Sequence, residues 1–426
     1  MKLSLVDTTP VDMRNQGTVN LGLNIVANKT KANVIHYTQK DLPKSDIFGF
    51  NVFYPMNLLN AFYFINKHKL KSGEVLFGGQ GVSNLKDGLL KDVGDVWLGE
   101  YDGNRKDADG WYRADHIVSN PQTSRSRNGL IELTRGCKYS CSFCEYGNIG
   151  GGVYREKDID LVLRQIDYMV VNRIRNINFM SANFAGYSKL DELMEYALSN
   201  GIRVLNTDFC LMDIPKIYKW AKKARLSTVK IGIESFNEST RVSIGKGVPD
   251  DRLQTIIEQL LSFASNIHFY LIYGLPDDDY ARWGDWVKRL SGYRRHYTYS
   301  LPTLFGDTVT KNSKDIRFEF SLTNFEPCRR TPLEFAPPVD FNAKDAFLCG
   351  WLDVLVREGF CRPKGQITYS TARGRIGRKE KSYKLLMALK NGGGELLPML
   401  LSSQNKGVKR SVLDKNVDAL MGSDGI

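Results

Sequence analysis

The hydrophobic and polar positions of the chain form short apolar runs separated by longer amphipathic stretches. In the first hundred residues, the runs 32–38 (ANVIHYT), 46–55 (DIFGFNVFYP) and 73–81 (GEVLFGGQG) are typical of strands, and 56–70 has a helical period. Strands that alternate with helices predict a parallel sheet. We therefore predict an α/β domain over residues 1–120.

A second alternation begins at 129–136 (GLIELTRG). The strands predicted after it are short apolar runs that each follow a polar or amphipathic stretch: 176–182, 203–209, 228–235, 267–276 and 296–301. Six βα-type units in a row predict a partial TIM barrel over residues 121–300, with chemistry at the carboxyl ends of its strands. The pattern weakens after residue 301, and we predict a smaller, basic, α-rich, substrate-binding region over 301–426.

The composition is that of a globular protein with a substantial core, since 42% of the residues are hydrophobic and 11% are aromatic. No run approaches the roughly 18 apolar residues of a membrane span, and the first residues have no apolar core of signal-peptide length. We therefore expect a cytoplasmic protein without a membrane partner. The formal net charge of +12 is compatible either with DNA or RNA as a partner or with a basic surface kept for solubility.

Three of the seven cysteines lie close together, at Cys137, Cys141 and Cys144, in a C-x3-C-x2-C spacing. Thiolates are soft ligands that suit iron–sulfur clusters and zinc. Structural zinc usually takes four ligands, and the closest further candidates along the sequence are His116 and Cys210. Three thiolates on one loop can hold three irons of a 4Fe–4S cube and leave the fourth iron open. We therefore predict a 4Fe–4S cluster on these three residues.

The stretch LIELTRGCKYSCSFC, with Phe143 just before the last cysteine, resembles the cluster motif of the radical S-adenosylmethionine (SAM) superfamily. In that superfamily SAM binds the open iron, and an electron from the cluster cleaves it to methionine and a 5′-deoxyadenosyl radical that takes a hydrogen from the substrate. The resemblance implies that Cys137, Cys141 and Cys144 are metal ligands and catalytic groups, and that Phe143 belongs to the cofactor site. It also implies an electron donor such as flavodoxin or ferredoxin.

Further resemblance is found in 228–247 (TVKIGIESFNESTRVSIGKG), which is similar to the fourth strand and its loop in radical SAM methylthiotransferases and their cobalamin-linked relatives. This implies SAM contacts from Glu234 and Ser235. By the same resemblance, the backbone around Tyr146 is expected to meet the adenine of SAM.

The predicted second strand departs from these relatives. They usually carry an acidic residue near its end, whereas Ser181, Ala182 and Asn183 stand there in this chain. Ser181 and Asn183 are interpreted as hydrogen-bonding partners of the methionine part of SAM, and the alternative is an ordinary strand end with small polar residues.

The stretch 46–84 resembles the Rossmann-like cobalamin-binding domain that precedes many radical SAM cores. The lower-ligand motif of that family, Asp-x-His-x-x-Gly, is absent from the sequence. None of the five histidines has that context: His36, His68, His116, His268 and His296. We therefore expect the fold without cobalamin, and the alternative is cobalamin bound without a histidine ligand.

The remaining cysteines match no auxiliary-cluster spacing and are interpreted as buried free thiols: Cys210, Cys328, Cys349 and Cys361. The stretch 362–390 interleaves Tyr369 and Tyr383 with many Lys and Arg residues. Such cations can follow a phosphate backbone, and tyrosines can stack on unpaired bases. A solvated basic face is the alternative.

These observations predict a radical SAM enzyme, and three hypotheses compete for its function. The main one is modification of a base in DNA or RNA, for example phage-type thymidine hypermodification, which the charge and the basic stretch favour. The second is a peptide or small-metabolite methylase or cyclase, with or without cobalamin. The third is a non-catalytic iron–sulfur protein, against which the intact cysteine trio and the GIES stretch argue.

Overall fold

The computed structural model describes residues 2–8, 21–52, 55–83, 85, 88–98, 128–147, 153–295, 298–302, 308–312, 315–325, 327–328, 330–337, 339 and 341–360. They form two compact units, one ending at residue 98 and one running from residue 128 to 360. The predicted basic stretch 362–390, Cys361 and the side chain of Cys349 lie outside the described residues.

The first unit contains a parallel five-stranded sheet in the order β2-β1-β3-β4-β5. Its strands are β1 Leu3–Asp7, β2 Asn33–His36, β3 Ile47–Asn51, β4 Val75–Gly78 and β5 Asp95–Val96. Its helices are α1 Leu21–Thr30, α2 Pro55–His68 and α3 Gln80–Ser83. The strand order reverses between β1 and β3, which is the switch point where doubly wound folds bind ligands. The predicted parallel N-terminal sheet is confirmed.

Aromatic side chains fill the core of this unit. Phe48 and Phe50 are two residues apart on β3 and therefore share one face of the sheet. The centre of the Phe50 ring lies 5.6 Å from that of Phe64 on α2 and 5.7 Å from that of Phe77 on β4. All four side chains are buried, so ring packing fixes α2 on the sheet.

The second unit contains a series of parallel strands in two sheets, β10-β9-β6 and β11-β12-β13-β16. Its strands are β6 Asn128–Glu132, β7 Thr134–Arg135, β8 Arg155–Glu156, β9 Asn176–Met180, β10 Arg203–Val204, β11 Asp208–Cys210, β12 Thr228–Glu234, β13 Asn266–Tyr273, β14 Thr298–Pro302, β15 Thr308–Asn312 and β16 Arg317–Asn324. Its helices are α4 Ile159–Val171, α5 Leu190–Ser199, α6 Tyr218–Ala221, α7 Glu238–Ser243, α8 Asp250–Leu261, α9 Tyr280–Arg295 and α10 Phe341–Arg357. Within the described ranges these strands do not close into a complete barrel, in agreement with the predicted partial one.

The third strand of this series is interrupted at 205–207. Its first part, β10, pairs with β9, and its second part, β11, pairs with β12. The side chain of Asn206 fills the gap: its Nδ2 donates to the Phe179 carbonyl at 2.8 Å, and its Oδ1 accepts from the Phe179 N–H at 2.9 Å. A side-chain amide therefore satisfies the backbone groups that an uninterrupted strand would have paired.

Side chains alternate along the strands between an apolar face and a polar face. The apolar face packs against α4, α5, α8 and α9 and contributes these buried residues: Ile131, Phe179, Phe209, Ile231 and Phe269. The polar face carries partly exposed side chains: Asn178, Lys230, His268, Tyr270 and Ser321. The helices cover one side of the strands only, so the polar face stays outside the apolar core.

The segment predicted as the sixth strand of the barrel does not join the parallel sheet. The run 296–301 overlaps β14, which pairs antiparallel with β15. The parallel neighbour of β13 is instead β16, in the segment predicted as the α-rich C-terminal region. Alternating hydrophobicity indicates that a segment can form a strand but not which strand it pairs with, and for this reason the sequence pattern missed β16.

Phe236 offers a test of the core of the second unit. Its side chain is fully buried, and its ring packs against those of Phe269, Trp283 and Trp286. We expect Phe236→Ala to lower the free energy of unfolding by about 3–5 kcal/mol, because the ring leaves a cavity. Phe335 is 93% exposed, and Phe335→Ala should change the free energy of unfolding by less than about 0.5 kcal/mol. Urea unfolding curves measure both values, and equal midpoints would contradict this core assignment.

Candidate active site

The three cysteines lie on the loop that follows the first strand of the second unit; we call residues 136–147 the cluster loop. It begins at Gly136, whose φ is +71° and whose Cβ, if present, would lie 2.9 Å from the Val153 carbonyl oxygen. Only glycine fits both constraints. The Cys144 N–H donates to the Cys141 carbonyl at 3.0 Å, which turns the loop between these two ligands.

The thiols of the cluster loop are half-buried. Burial raises the pKa of Cys141 and of Cys144 to about 11, so at neutral pH both are protonated when no metal is bound. Iron must therefore displace these protons, and metal binding and deprotonation are coupled. Three soft donors on one loop fit a 4Fe–4S cluster with one open iron.

A second loop, residues 244–247, packs on the cluster loop. The Ser142 N–H donates to the Ile244 carbonyl at 3.1 Å. Gly245 has a φ of +80°, and a Cβ there would lie 3.4 Å from the Cys141 Cα. This close approach brings Lys246 into the site.

Lys246 forms a buried ion pair with Glu234 at the end of β12. Its Nζ lies 3.2 Å from Glu234 Oε1 and donates to the Gly232 carbonyl at 3.2 Å. Burial opposes the ammonium charge, but Glu234 and then the thiols of Cys210 and Cys141 outweigh it and raise the pKa of Lys246. Sequence analysis missed Lys246; the available signal was its position between two glycines in IGKG.

Glu234 takes an unusual backbone conformation, with a φ of +64° next to a β-bulge at Gly232. A Cβ on Gly232 would lie 2.6 Å from Glu234 Oε1, so the carboxylate folds back over the space that this glycine leaves open. The strain is typical of functional sites. The structure thus places Glu234 beside Lys246 and close enough to Cys144 to influence its pKa; its contact with SAM stays a prediction.

Ser235, the other predicted SAM contact on this strand end, is fully buried. Its hydroxyl donates to Asp278 Oδ1 at 2.7 Å and accepts from the Asn237 N–H at 2.9 Å and the Trp283 indole N–H at 3.2 Å. These contacts tie the end of β12 to the segment that follows β13. A SAM contact by Ser235 stays a prediction.

Phe143 and Tyr146 differ in their surroundings. Phe143 is partly buried against a small apolar cluster that contains Ile244, Tyr273 and Phe325. The Tyr146 side chain is 41% exposed, and its backbone N–H bonds to Cys144. The predicted contact between this backbone and adenine stays a prediction.

The end of β9 lies beside the start of the cluster loop. Ser181 Oγ is 2.7 Å from Thr134 Oγ1 and accepts from the Asn183 N–H at 3.1 Å. Asn183 is 7% exposed, and its Nδ2 donates to Asp213 Oδ2 at 2.6 Å. Its Oδ1 is buried and has no partner in the part of the chain that the structure describes.

Asp213 joins these segments, and sequence analysis missed it. Its carboxylate is 3% exposed and bonds Lys138 at 2.8 Å, Tyr139 at 2.8 Å and Lys216 at 2.8 Å, in addition to Asn183. Burial opposes its charge, but Lys138, Lys216, Tyr139 and Asn183 outweigh burial and hold the pKa of Asp213 at about 2.

Cys210, at the end of β11, lies near this group. It is half-buried and free, and it pairs with Gly232 in the sheet register. Burial raises its pKa, and Lys246 is the largest influence in the opposite direction. The sequence predicted buried free thiols, whereas Cys210 and Cys328 are only half-buried, and Cys210 is close enough to Cys137 for the two thiols to influence each other's charge.

Residues 131–290 match the family model of the Radical SAM superfamily. This segment is a radical SAM domain. It contains Cys137, Cys141 and Cys144, and the family's cofactors are SAM and a 4Fe–4S cluster, as the sequence predicts.

Two curated relatives are methyltransferases. Bacteriochlorophyllide d C-12(1)-methyltransferase of Chlorobaculum tepidum is 29% identical over 157 residues, which cover 35% of this chain and 34% of the relative. Hopanoid C-2 methylase of Rhodopseudomonas palustris is 28% identical over 116 residues, which cover 25% of this chain and 22% of the relative. The chain thus matches about a third or less of the length of these relatives.

Two solved structures share the fold over most of the chain. The radical SAM methyltransferase TsrM from Kitasatospora setae, solved with cobalamin and a [4Fe-4S] cluster, has a TM-score of 0.55 at 11% identity and covers 78% of this chain and 77% of its own. The cobalamin-dependent SAM radical enzyme OxsB, solved with aqua-cobalamin and SAM, has a TM-score of 0.57 at 14% identity. The match covers 99% of this chain and 79% of the OxsB chain. They confirm the predicted architecture, a Rossmann-like domain ahead of a radical SAM partial barrel.

These neighbours do not support the expectation that cobalamin is absent, since both were solved with it.

Within the described parts of the chain, no helix is both long enough and apolar enough to cross a membrane.

Gly136 and Gly201 form a matched pair for testing the cluster loop, since both have a φ of +71°. Gly136→Ala adds a Cβ 2.9 Å from the Val153 oxygen, whereas a Cβ on Gly201 meets nothing within 4 Å. The backbone strain should cost about 1–2 kcal/mol at either site, and the clash should distort only the cluster loop. Iron and sulfide bound after anaerobic reconstitution should therefore fall in Gly136→Ala and not in Gly201→Ala. Equal iron content in the two variants would show that Gly136 does not shape the loop.

Lys246 provides a test of charge at the site. We expect Lys246→Met to lower the reduction potential of the cluster by on the order of 50 mV, because a buried positive charge stabilises the reduced, more negative state. The double variant Lys246→Met/Glu234→Gln removes both charges of the pair, and its reduction potential should return most of the way to the wild-type value. Potentiometric titration followed by EPR measures both, and an unchanged potential in Lys246→Met would contradict this role.

Proposed function

We propose that the protein is a radical SAM methyltransferase that binds cobalamin on its N-terminal unit and acts on a small molecule or a peptide. The observation that carries the proposal is the combination, in one chain, of a 2-1-3-4-5 parallel sheet with a radical SAM domain whose cysteine loop is intact. The names of the curated relatives and of TsrM, all methyltransferases or methylases, support the reaction class.

The switch point of the first unit fits a large ligand held mainly by backbone. Gly79, after β4, has a φ of +101°, and a Cβ there would lie 2.6 Å from both Asn51 Oδ1 and the Val52 oxygen. The Thr8 hydroxyl, after β1, donates to the Asn51 carbonyl at 2.5 Å. The ends of β1, β3 and β4 therefore approach closely, with only the side chains of Thr8 and Asn51 in these contacts, and doubly wound folds bind ligands outside such strand ends.

The sequence lacks the family motif Asp-x-His-x-x-Gly, so it offers no histidine of that motif as the lower ligand of cobalamin. His36 ends β2 at this edge of the sheet, but it is buried and its Nδ1 is bonded to Thr38 at 2.7 Å. We propose that the corrin is held without a histidine ligand, by the backbone around Thr8, Val52 and Gly79.

When bound, the cluster supplies the electron that cleaves SAM, and cobalamin supplies a carrier for the methyl group. In our proposal Cys137, Cys141 and Cys144 hold three irons, and Lys246 offsets the negative charge of the thiolates. Phe143, against its apolar cluster, keeps water from one side of the loop. An electron donor such as flavodoxin or ferredoxin is part of the proposal.

The hypothesis of a nucleic acid base as substrate has no support among the relatives. Their names give bacteriochlorophyllide d and hopanoids, and TsrM was solved with tryptophan as its substrate. The basic stretch 362–390 that favoured nucleic acid lies outside the described residues. We therefore propose the small-molecule or peptide alternative in its place.

The test is transfer of an isotope-labelled methyl group from SAM. Protein reconstituted anaerobically with iron, sulfide and cobalamin is incubated with deuteromethyl SAM, a reductant and either a metabolite and peptide extract, DNA or RNA. We expect retained corrinoid absorbance and label in the extract, with none in a Cys141→Ala control. Label in DNA or RNA would overturn the proposed substrate class, and 5′-deoxyadenosine without label transfer would overturn the methyltransferase reading.

A further inference from the structure

The polar face of the second unit carries three side chains that are hydrogen-bonded in series on the adjacent strands β13 and β16. His268 Nε2 lies 2.7 Å from Ser321 Oγ, and His268 Nδ1 lies 3.3 Å from Glu319 Oε2. The strand register produces these contacts, because His268 pairs with Glu319 and Ser321 is the next residue on the same face of β16. A hydroxyl, an imidazole and a carboxylate are thereby connected.

Glu319 sets the direction of the hydrogen bonds in this series. Its Oε1 lies 2.8 Å from Arg317 Nε and accepts from Asn266 Nδ2 at 3.5 Å, while its Oε2 faces the imidazole. A carboxylate only accepts, so Nδ1 of the neutral imidazole carries the proton and Nε2 is an acceptor. Ser321 therefore donates its hydroxyl proton to Nε2, and its oxygen can accept a hydrogen bond from a further donor.

The surroundings of His268 keep its imidazole neutral. The charged and titratable groups that face it come from each strand of this part of the sheet: Asp208 on β11, Lys230 on β12, Tyr270 on β13 and Glu319 on β16. Burial and Lys230 lower the pKa of His268 and outweigh Glu319 and Asp208, which raise it. The Tyr270 hydroxyl donates to Asp208 Oδ1 at 2.7 Å. The imidazole is thus ready to take up a proton near neutral pH.

Ser321 stands in a row of residues that leads across the sheet to the cluster site. It pairs with Tyr270, which pairs with Gly232 on β12. Neighbouring strands are about 4.8 Å apart, so Ser321 lies about 10 Å from Gly232, over which the Glu234 carboxylate folds. Ser321 is partly exposed, and the His268 side chain is 16% exposed. A small molecule on the polar face can therefore reach this hydroxyl.

We infer that Ser321, His268 and Glu319 form a proton relay, in which Ser321 accepts a proton from the atom of the substrate that receives the methyl group. Ser321 is the catalytic residue, His268 takes up the proton, and Glu319 is a positioning residue for the imidazole. The inference rests on the proposed function and narrows its substrate class. The accepting group is one that loses a proton on methylation, such as an N–H, an O–H or an aromatic C–H.

The proposed step balances without a further reactant. An electron pair of the accepting atom forms the bond to the methyl carbon, and the pair of the broken bond stays on the methyl donor. The N–H, O–H or ring C–H bond then breaks and leaves its electron pair on the substrate. Its proton passes to Ser321 Oγ while the Ser321 proton passes to His268 Nε2. A substrate that gives up a hydrogen atom to a radical needs no such base.

The relay can be tested on the protein alone, by nitrogen-15 NMR of the histidine side chains with the cluster oxidised. His268→Gln assigns the signals. Near neutral pH we expect a proton on Nδ1 and none on Nε2, and an apparent pKa below the ordinary 6.5. Ser321→Ala should shift the Nε2 signal, because it removes the donor to that nitrogen. A proton on Nε2, or an Nε2 signal unchanged in Ser321→Ala, would overturn the inference.

The role in catalysis is tested by label transfer from deuteromethyl SAM to the metabolite and peptide extract. Ser321→Ala and His268→Gln should each slow the transfer about 100-fold at unchanged iron content, which is within the range for loss of a general base. The ratio of the wild-type rate to the His268→Gln rate should shrink as the pH falls through the pKa of His268, because the protonated imidazole cannot accept. A ratio independent of pH, or rates within about threefold of the wild type, would contradict the relay.

Ser291→Ala is the matched control for loss of a hydroxyl. Ser291 also donates to a glutamate, Glu358 Oε2 at 2.8 Å, but it lies on α9, on the helix-covered side of the strands. Its removal should leave the rate of label transfer within about twofold of the wild type. A wild-type protein that labels nothing would count against the proposed function, and the imidazole spectra would still decide between the relay and its absence.

Discussion

The carboxylate of Asp213 is buried, and a buried carboxylate is stable only when neighbouring donors use its lone pairs. The donors come from the cluster loop, from the end of β9 and from the turn after β11. Together with the packing of Phe143 and the backbone bond from Ser142 to Ile244, these polar contacts fix the position of the cluster loop. One charge therefore holds together three segments that are distant in the sequence, and the ligand cysteines depend on that arrangement.

The cysteine trio was predictable because its spacing and its chemistry lie on one short stretch. Glu234 was predictable as a strand-end residue for the same reason. Asp213 lies outside the stretches with a recognisable motif, and its bond from Lys138 spans 75 residues. Lys246 lies within 228–247, but its contact with Glu234 depends on a turn between two glycines. Their roles arise from contacts that only the folded chain creates, and single-sequence periodicity does not report such contacts.

The fold, like the site, could be predicted from the sequence only in part. Alternation of strands and helices predicted parallel sheets in both units, because burial against helices requires that pattern. Strand partners were not predictable, as β14 and β16 show. The absent histidine motif led to the expectation of no cobalamin, although the fold around Gly79 brings backbone groups together where such domains hold ligands. A missing side chain in a sequence is weak evidence against a ligand that backbone can hold.

The gap at 205–207 has a consequence for how this protein family can vary in length. Along a strand, a shift by one residue exchanges the two faces, so an insertion within β11 would turn Cys210 away from the polar side. At the gap, the strands are joined by the Asn206 side chain and by two backbone bonds, from the Leu205 N–H to the Ile177 carbonyl and from the Lys230 N–H to the Thr207 carbonyl. An added residue there disturbs these few contacts and leaves the pairing of β11 with β12 in register. The gap is thus a position where evolution or engineering can change chain length while Cys210 keeps its place beside the cluster loop.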